Sequence, residues 1–232
     1  MRIAIVGNGR MGNAVATLAR NSGHIIQTVV EAHENAGGKA LTADRLAGAD
    51  IVIEFTRPEA AVGNLEHLIQ LGIPTVTGTT GWYDALPRIA ALVHAKGSAL
   101  LYAANFSVGV QLFLRTAGEL ARNLRARPEF AESITEEHHA AKRDVPSGTA
   151  LLLQRQLSES DPRRQFPIAS VREGSLPGTH TLTYTSPHET VTLRHVAKDR
   201  QAFAAGALMA AEWLRGKTGV FTFADVLFGK TA

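Results

Sequence analysis

The 232-residue chain contains no cysteine. This absence excludes disulfide bonds, thiolate nucleophiles and cysteine-held zinc or iron–sulfur sites, so His, Asp and Glu are the side chains left to bind a metal. The sequence also lacks any apolar run close to the roughly 20 residues that a membrane-spanning helix needs. Because Gly7 breaks the first apolar run too early for a signal peptide, we expect a soluble cytoplasmic protein.

Charge of one sign is not concentrated anywhere in the sequence. The formal net charge is +3, and the Lys and Arg residues are spread along the chain instead of forming a basic run. Proteins that bind nucleic acids carry clustered positive charge, so this distribution argues against that class. We therefore expect neither a nucleic acid nor a membrane as a partner.

Short apolar segments alternate with helical patterns over about the first 105 residues. Buried strands are predicted at 3–6, 25–30, 49–55, 73–78 and 99–103. Helices are predicted from the first glycine turn to about Gly23, at about 58–71 and at 83–96. This alternation is typical of a Rossmann-type α/β fold, a parallel sheet with helices on both faces.

The pattern changes after about residue 105. Beyond a helix at about 110–124, the predicted strands are 131–135, 179–185 and 190–196, with one helix, 149–157, among them. Consecutive strands without crossover helices predict a mixed or antiparallel sheet in a second, α+β domain. A helix at 203–215 precedes a C-terminal segment that we expect to return to the first domain.

The segment Gly7-Asn8-Gly9-Arg10-Met11-Gly12 has the spacing of a dinucleotide-binding turn and lies between a predicted strand and a predicted helix. Gly7 permits the tight turn, Gly9 lets the backbone approach a pyrophosphate, and Gly12 lets the helix pack closely on the strand. Glu31, at the end of the second strand, can accept hydrogen bonds from the adenosine ribose. Three glycines also occur by chance in flexible loops, but the surrounding strand, helix and acidic residue favour a cofactor site.

The residues around Glu31 bear on the choice of cofactor. Its carboxylate would repel a ribose phosphate, and neither Ala32 nor His33 supplies an arginine to neutralise one. This arrangement favours NADH over NADPH. Lys39 or Arg45 can still reach over from the following loop, so NADPH stays possible.

Two adjacent histidines, His138 and His139, follow a predicted strand, and Lys142 comes shortly after them. Each imidazole can donate or accept a proton near neutral pH, and the ammonium can hold an anion or deliver a proton. Because strict side-chain alternation relaxes at a strand end, both rings can approach one pocket. Histidines are more often packed or surface residues than catalysts, but this combination in one short segment favours a catalytic role.

The segment Ser147-Gly148-Thr149 precedes a helical pattern. Either hydroxyl can cap that helix, and the exposed amides behind the cap form a site for an anion such as a substrate carboxylate. The glycine lets the anion approach the backbone. The plainer alternative is a helix cap without a ligand.

A metal site built from His138, His139 and Asp144 is a further alternative. Adjacent histidines rarely present both ring nitrogens to one ion, and the sequence offers no obvious additional ligand. We therefore expect no metal.

At these residues the sequence resembles the dihydrodipicolinate reductase family. The family signature E-x-H-H-x-x-K-x-D-A-P-S-G-T-A corresponds to residues 136–150, with Val145 in place of the usual alanine. Further similar stretches are 7–12, 55–58, 78–81, 103–110, 172–174 and 178–180. The likeness therefore runs from end to end of the chain.

The resemblance implies roles for individual residues. It makes His138 a proton donor or acceptor and Lys142 the proton donor. It places the substrate carboxylate against His139, Gly148 and Thr149, beside Ser147 of the anion site described above. It lines the nicotinamide end of the cofactor with Gly78, Thr79, Thr80, Ala103, Ala104, Asn105 and Phe106.

The resemblance also implies a reaction and an assembly. The reaction is the NAD(P)H-dependent reduction of 4-hydroxy-tetrahydrodipicolinate, via dihydrodipicolinate, to tetrahydrodipicolinate in the diaminopimelate route to lysine. The assembly is a homotetramer built through the sheet of the second domain. We accordingly predict a dinucleotide-binding domain at 1–105 and 204–232, and a substrate-binding and oligomerisation domain at 106–203.

Two other functions stay open. A related NAD(P)-dependent imine or amino-acid dehydrogenase would need a different pocket around His139 and Thr149. A non-catalytic nucleotide-binding sensor would have lost His138, Lys142 or the Ser-Gly-Thr turn, and all of these are present. The intact residues favour the reductase.

Two departures from the family pattern affect the expectations. The segment between Glu31 and Asp50 is shorter than the family usually has, which bears on the adenosine pocket. Glu137 adds a carboxylate beside His138. If the two side chains approach each other, the pKa of the histidine rises; if they point to opposite faces, the effect is small.

Overall fold

The computed structural model describes residues 1–140, 142–174 and 178–229. The chain divides into two compact units, one formed by Met1–Phe106 with Gln201–Ala232 and the other by Ser107–Arg200. The strands are β1 (Arg2–Val6), β2 (Ile25–Val30), β3 (Ile51–Glu54), β4 (Thr75–Thr77), β5 (Ala99–Tyr102), β6 (Ala131–His138), β7 (Ile168–Arg172), β8 (Thr179–Thr185), β9 (Thr190–Val196) and β10 (Gly219–Thr222). The helices are α1 (Arg10–Asn21), α2 (Pro58–Gln70), α3 (Leu86–Lys96), α4 (Val108–Leu124), α5 (Gly148–Ser160), α6 (Gln201–Leu214) and α7 (Phe223–Phe228).

The first unit contains a six-stranded parallel sheet in the order β10-β5-β4-β3-β1-β2. Residues 3–6 of β1 and all of β3 are buried, because helices cover both faces of a sheet of this kind. β1 lies between β2 and β3, so the strand order reverses at its carboxyl end. Ligands of open α/β sheets bind at such a reversal. The predicted Rossmann-type sheet is confirmed.

The connection from β2 to β3 contains turns where the other early connections contain helices. A short 3-10 turn occupies Ala36–Gly38, and Gly37 and Gly38 both have positive φ. The side chains of Leu41 and Leu46 in this connection nevertheless pack into the core against β1.

The second unit contains a four-stranded sheet in the order β7-β6-β8-β9. β6 runs parallel to β7 and antiparallel to β8, so the sheet is mixed, as expected. Its core lies between one face of the sheet and helices α4 and α5; the largest contributors are Phe113, Leu114, Ile134, Leu182 and Tyr184. The sequence analysis did not predict β7.

Two boundaries differ from the sequence prediction in ways that matter for function. β6 continues to His138, three residues beyond the predicted end, because its last residues still pair with β7. α5 begins at Gly148 after the cap Ser147, whose hydroxyl accepts from the Ala150 N–H at 3.2 Å. None of the helices in the described parts of the chain is long and apolar enough to cross a membrane.

Candidate active site

The dinucleotide motif forms the turn between β1 and α1. Gly7 has a φ of 99°, and a Cβ there would lie 2.1 Å from the Phe55 carbonyl oxygen. A Cβ on Gly12 would lie 1.8 Å from the Gly7 carbonyl oxygen, so only glycine lets α1 approach β1 this closely. Apart from Gly9 itself and its two chain neighbours, no heavy atom of the described residues lies within 4 Å of a Cβ built on Gly9. The backbone at Gly9 is therefore open to a phosphate.

The N-terminus of α1 fits the same ligand. Gly9 caps the helix without a side-chain hydrogen bond, so the first backbone N–H groups face outward with the positive end of the helix dipole. The Asn13 side chain donates to the Asn8 carbonyl and fixes the turn. Arg10 is exposed and Met11 is half-buried.

The other predicted cofactor residues follow β4 and β5 at the carboxyl edge of the sheet. Exposed or half-buried positions are Gly78, Thr80, Ala104 and Asn105, and buried positions are Thr79, Ala103 and Phe106. The Thr79 hydroxyl accepts from the Thr56 N–H at 2.8 Å. The Phe106 ring packs 5.2 Å from that of Phe223. These two side chains are thus engaged within the protein, and a cofactor would meet their segments mainly through the backbone.

Glu31 follows β2 and is half-buried, with one carboxylate oxygen 3.2 Å from His33 Nδ1. Arg45 lies in the same region. Its Nη2 donates to the Glu34 carboxylate and to the Val29 carbonyl at 3.3 Å. Arg45 is the arginine that the sequence analysis considered as a partner for a ribose phosphate. In the structure its guanidinium is bound by Glu34 instead.

In the second unit, β6 brings a carboxylate against His138. Glu136 and His138 lie two residues apart on the face of the sheet that packs against the helices, and they are 0% and 6% exposed. Glu136 Oε2 lies 2.5 Å from His138 Nδ1. Glu137 points to the other face, where its carboxylate is 3.7 Å from Arg194. The carboxylate beside His138 is thus Glu136, whereas the sequence analysis considered Glu137.

The Glu136 carboxylate is held by donors from two parts of the chain, β7 and the cap of α5. Its Oε1 accepts from Arg172 Nη2 at 2.6 Å and from the Ser147 N–H at 3.3 Å. Burial acts to raise the pKa of this carboxyl, but hydrogen bonds from Arg172, Ser170 and Ser147 outweigh burial and lower the pKa to about 2. Glu136 is therefore ionised at any physiological pH.

His138 experiences opposing influences. Burial lowers its pKa most strongly, Glu136 raises it, and the Lys142 cation lowers it again; the net shift is downward. A Cβ on Gly178 would lie 2.7 Å from His138 Nε2, so a glycine is needed where the backbone passes the ring. The imidazole is therefore largely neutral at neutral pH and is confined on both sides.

A second histidine joins this cluster from β8. His180 is 5% exposed, and its ring lies edge-on to that of His138 with 5.2 Å between centroids. His180 Nε2 lies 3.1 Å from the hydroxyl of Ser147, the cap of α5. Burial, with a contribution from His138, lowers the pKa of His180 to about 4. This ring is therefore neutral and supports the N-terminus of α5.

Lys142 is the solvent-facing cation of the site. Its Nζ donates to both carboxylate oxygens of Asp144 at 2.7 and 2.8 Å. Burial acts to raise the pKa of Asp144, but hydrogen bonds from Lys142 and from backbone groups hold it below its usual range. The lysine already holds one carboxylate, and a ligand carboxylate could take the same place.

The remaining predicted substrate residues surround the start of α5. Gly148 is exposed, and beyond its chain neighbours and the backbone of its own helix no heavy atom of the described residues lies within 4 Å of a Cβ built there. Thr149 and His139 are half-buried. The His139 carbonyl accepts from the Lys142 N–H at 3.0 Å. The exposed helix N-terminus and the ammonium together fit an acidic ligand.

Donor atoms of Glu136, His138 and His180 lie within 4.8 Å of one another, a set different from the His138, His139 and Asp144 considered above. The Arg172 guanidinium already contacts the carboxylate, and the Lys142 charge acts on His138. The positive charges of Arg172 and Lys142 would repel a metal ion here. The cluster is therefore better suited to hydrogen bonding and proton transfer than to metal binding.

Comparison with known families matches almost the entire chain. Residues 1–106 match the family described as "Dihydrodipicolinate reductase, N-terminus", and residues 109–227 match "Dihydrodipicolinate reductase, C-terminus". The chain belongs to the dihydrodipicolinate reductase family. The C-terminal match includes α6 and most of α7, which fold with the first unit.

Curated relatives are similar to this chain over almost their full length. The 4-hydroxy-tetrahydrodipicolinate reductase of Christiangramia forsetii is 37% identical over 238 residues, covering 98% of each chain. The enzyme of the same name from Neisseria gonorrhoeae is 35% identical over 266 residues, covering 98% of this chain and 97% of the relative. The predicted family and reductase function are confirmed.

Solved structures show the same fold. A dipicolinate-bound dihydrodipicolinate reductase from Paenisporosarcina sp. TG-14 has a TM-score of 0.82 at 22% identity, covering 97% of this chain and 98% of that one. An aspartate dehydrogenase from Thermotoga maritima has a TM-score of 0.52 at 11% identity, covering 94% and 97%. Dehydrogenases with other substrates therefore share the architecture.

Sequence reasoning missed three residues of the cluster around His138: Glu136, Arg172 and His180. All three occurred in stretches that resemble the family, but no role was assigned to them. A period of two along β6 would have placed Glu136 on the same face as His138. No comparable local signal links Arg172 or His180 to the site, because both reach it through sheet pairing.

Proposed function

We propose that this chain reduces 4-hydroxy-tetrahydrodipicolinate, via dihydrodipicolinate, to tetrahydrodipicolinate with NAD(P)H in lysine biosynthesis. We assign the cofactor to residues 1–105 and 204–232 and the substrate to residues 106–203. One observation carries the proposal for the site: His138, Lys142 and the start of α5 come together around an ionised, buried carboxylate. These are the residues in which the family signature is concentrated.

The residues of the glycine turn fit a pyridine nucleotide. Gly7 to Gly12 would hold the pyrophosphate on the N-terminus of α1, and Glu31 would accept from the ribose hydroxyls. When bound, the reduced nicotinamide supplies a hydride. The fit rests on the open space at Gly9 and on the uncapped helix start.

The chemistry of this chain's own residues is proton delivery and charge stabilisation. As the substrate's conjugated imine is reduced, negative charge builds on its ring. Lys142 stabilises that charge and donates the proton that quenches it, with His138 as a second proton donor or acceptor. His139, Ser147, Gly148 and Thr149 hold the substrate carboxylate at the start of α5.

The direct test is the Lys142→Ala variant. Its kcat should fall by about a hundredfold to ten-thousandfold, because a positioned general acid is lost, while its affinity for NADH stays nearly unchanged. The assay follows NADH oxidation with the freshly made condensation product of aspartate semialdehyde and pyruvate. Arg143→Ala, which removes an exposed cation from the same loop, is the matched control and should retain activity. Equal loss of NADH binding in Lys142→Ala would contradict the role.

We also propose a preference for NADH over NADPH. Glu31 disfavours a phosphate on the ribose, and the Arg45 guanidinium that might bind one is engaged by Glu34 and Val29. Titration of the wild-type protein with both cofactors tests the preference. Glu34→Gln weakens the hold on Arg45 and should raise the relative affinity for NADPH, whereas the double variant Glu34→Gln with Arg45→Ala should not. A wild-type protein that binds NADPH more tightly would overturn this assignment.

We further propose a homotetramer formed through the second sheet. The outward face of that sheet carries Thr135, Thr181 and Thr192, together with the exposed side chains of Val171 and Val196. Helices α4 and α5 cover the opposite face. Analytical ultracentrifugation should give a tetramer for the wild type and a smaller species for Val196→Glu.

The matched control for the assembly test is Ile25→Glu, which places the same charge on a 60% exposed position of the first unit. That variant should sediment as the wild type does. A monomeric wild-type protein would exclude the assembly without affecting the assigned reaction.

A further inference from the structure

The proton on His138 is determined by its neighbours. A carboxylate oxygen can only accept hydrogen bonds, and Glu136 Oε2 lies 2.5 Å from His138 Nδ1. Two lone pairs would repel each other at this distance, and Glu136 is ionised, so Nδ1 of the imidazole must be the protonated nitrogen. When His138 is neutral, its single ring proton is therefore on Nδ1 and its lone pair is on Nε2.

The Glu136 carboxylate cannot turn away from this contact. It is completely buried, and Arg172 and the Ser147 N–H occupy its other oxygen. The three contacts come from β6, β7 and the start of α5, so the sheet and the helix fix the carboxylate together. A buried acceptor held in this way orients an imidazole and stabilises its protonated form.

The opposite edge of the ring has space only because residue 178 is glycine. A Cβ at this position would lie 2.7 Å from His138 Nε2, so the backbone passes directly beside the nitrogen that carries the lone pair. The ring is thus confined at Nδ1 by a carboxylate and at Nε2 by a bare backbone. Because Nδ1 is held by the carboxylate, Nε2 is the ring nitrogen that can exchange a proton with a substrate, and the missing side chain at residue 178 keeps that edge of the ring from being blocked.

We propose that Glu136, held by Arg172, is a positioning residue that keeps His138 in the Nδ1-protonated tautomer so that proton exchange occurs at Nε2. This inference rests on the role of His138 in the proposed reductase reaction. Glu136 itself does not contact the substrate. The groups that face His138 are Glu136, Arg172 and Lys142 with the neutral ring of His180. Lys142 is paired with Asp144, so removal of the Glu136 carboxylate leaves Arg172 without its counterion.

The first test determines the tautomer of His138 directly and needs no activity assay. Magic-angle-spinning NMR of wild-type protein labelled with ¹⁵N-histidine should give a protonated Nδ1 and an unprotonated Nε2 for the neutral His138 ring. Subtraction of the His138→Gln spectrum assigns that ring among the nine histidines. A neutral His138 with its proton on Nε2 overturns the proposal, even if no Glu136 variant folds.

The second test is Glu136→Gln, an isosteric change that lets an amide N–H face Nδ1. The neutral ring should then move toward the Nε2-protonated form, and kcat should fall about tenfold to a hundredfold with little change in NADH affinity. The pH at which His138 titrates should move lower, because the carboxylate that favours the imidazolium is gone. Glu136→Asp, which is too short to keep the contact, should behave similarly.

Glu137→Gln is the matched control, since Glu137 is adjacent in sequence but points to the other face of the sheet. It should leave the tautomer and the pH profile of kcat/KM unchanged. If Glu136→Gln lowers kcat while the His138 spectrum and the pH profile stay as in the wild type, Glu136 is merely structural and the proposal fails. A wild-type protein with the expected tautomer but no reductase activity would refute the proposed function alone.

Discussion

The two regions proposed to bind cofactor and substrate are built from opposite kinds of residue. The glycine turn of the first unit works by the absence of side chains, since a Cβ on Gly7 or Gly12 would run into backbone atoms. The cluster of the second unit works by buried ionisable side chains, with Glu136, His138 and His180 all at most 6% exposed. The difference indicates that the geometry of the glycine turn depends on local spacing, whereas the cluster around His138 depends on the register of a sheet.

The largest expected effect tests whether the glycine turn depends on the absence of a side chain. Gly12→Ala places a Cβ 1.8 Å from a carbonyl oxygen, so α1 must shift from β1. We expect a loss of about 3 kcal/mol or more in the free energy of unfolding, measured by urea denaturation. Gly9→Ala meets open space, so it should keep wild-type stability while weakening NADH binding. Equal stability losses in the two variants would mean that the turn does not depend on these clearances.

The next largest effect tests the buried ionisable cluster through the titration of His180. His180 has a pKa of about 4 in the folded protein, against 6.5 as its ordinary value, so between these pH values the unfolded chain binds a proton that the folded chain does not. The free energy of unfolding should therefore fall by up to about 3 kcal/mol as the pH drops from 6.5 to 4. Above pH 6.5 this contribution should be constant.

Replacing His180 shows how much of the pH dependence of the free energy of unfolding comes from its imidazole. His180→Gln should flatten the stability profile in this window, whereas His188→Gln, at an exposed position, should not. Urea denaturation at several pH values measures both. Unchanged pH dependence in His180→Gln would show that the buried imidazole is not responsible.

The smallest effect concerns the junction between the cluster and α5. Ser147→Ala removes the hydroxyl that accepts from the Ala150 N–H and lies 3.1 Å from His180 Nε2. We expect a loss of about 1 kcal/mol in the free energy of unfolding. Ser147→Thr keeps a capping hydroxyl and should lose less. If both variants are as stable as the wild type, the cap does not support the helix as described.

The sequence was sufficient for features that arise from short-range patterns. The parallel sheet followed from apolar runs spaced by helical segments, and the geometry at Gly7 and Gly12 matched the roles expected for glycines in such a turn. The C-terminal return was also expected, and β10 pairs with β5 in the first sheet. Each of these features depends on residues close in sequence or on a strongly apolar strand.

Features that depend on distant pairing were not predicted. β7 was missed because its segment alternates only partly buried and exposed residues. Without β7, Arg172 had no predicted place near Glu136, which lies 36 residues earlier in the chain. The approach of His180 to Ser147 likewise spans 33 residues and follows from the register of β6 and β8. Such contacts are determined by tertiary packing and leave no local pattern.

A single nitrogen of the Arg172 guanidinium connects the two proton-bearing side chains, His138 and Lys142. Arg172 Nη2 donates both to the Glu136 carboxylate and to the Asp144 carbonyl, each at 2.6 Å. The first bond leads to the imidazole of His138, and the second fixes the backbone of the residue that binds the ammonium of Lys142. A displacement of this single anchor would move both proton-bearing side chains at once, so substitutions at Arg172 and at either of them should combine non-additively.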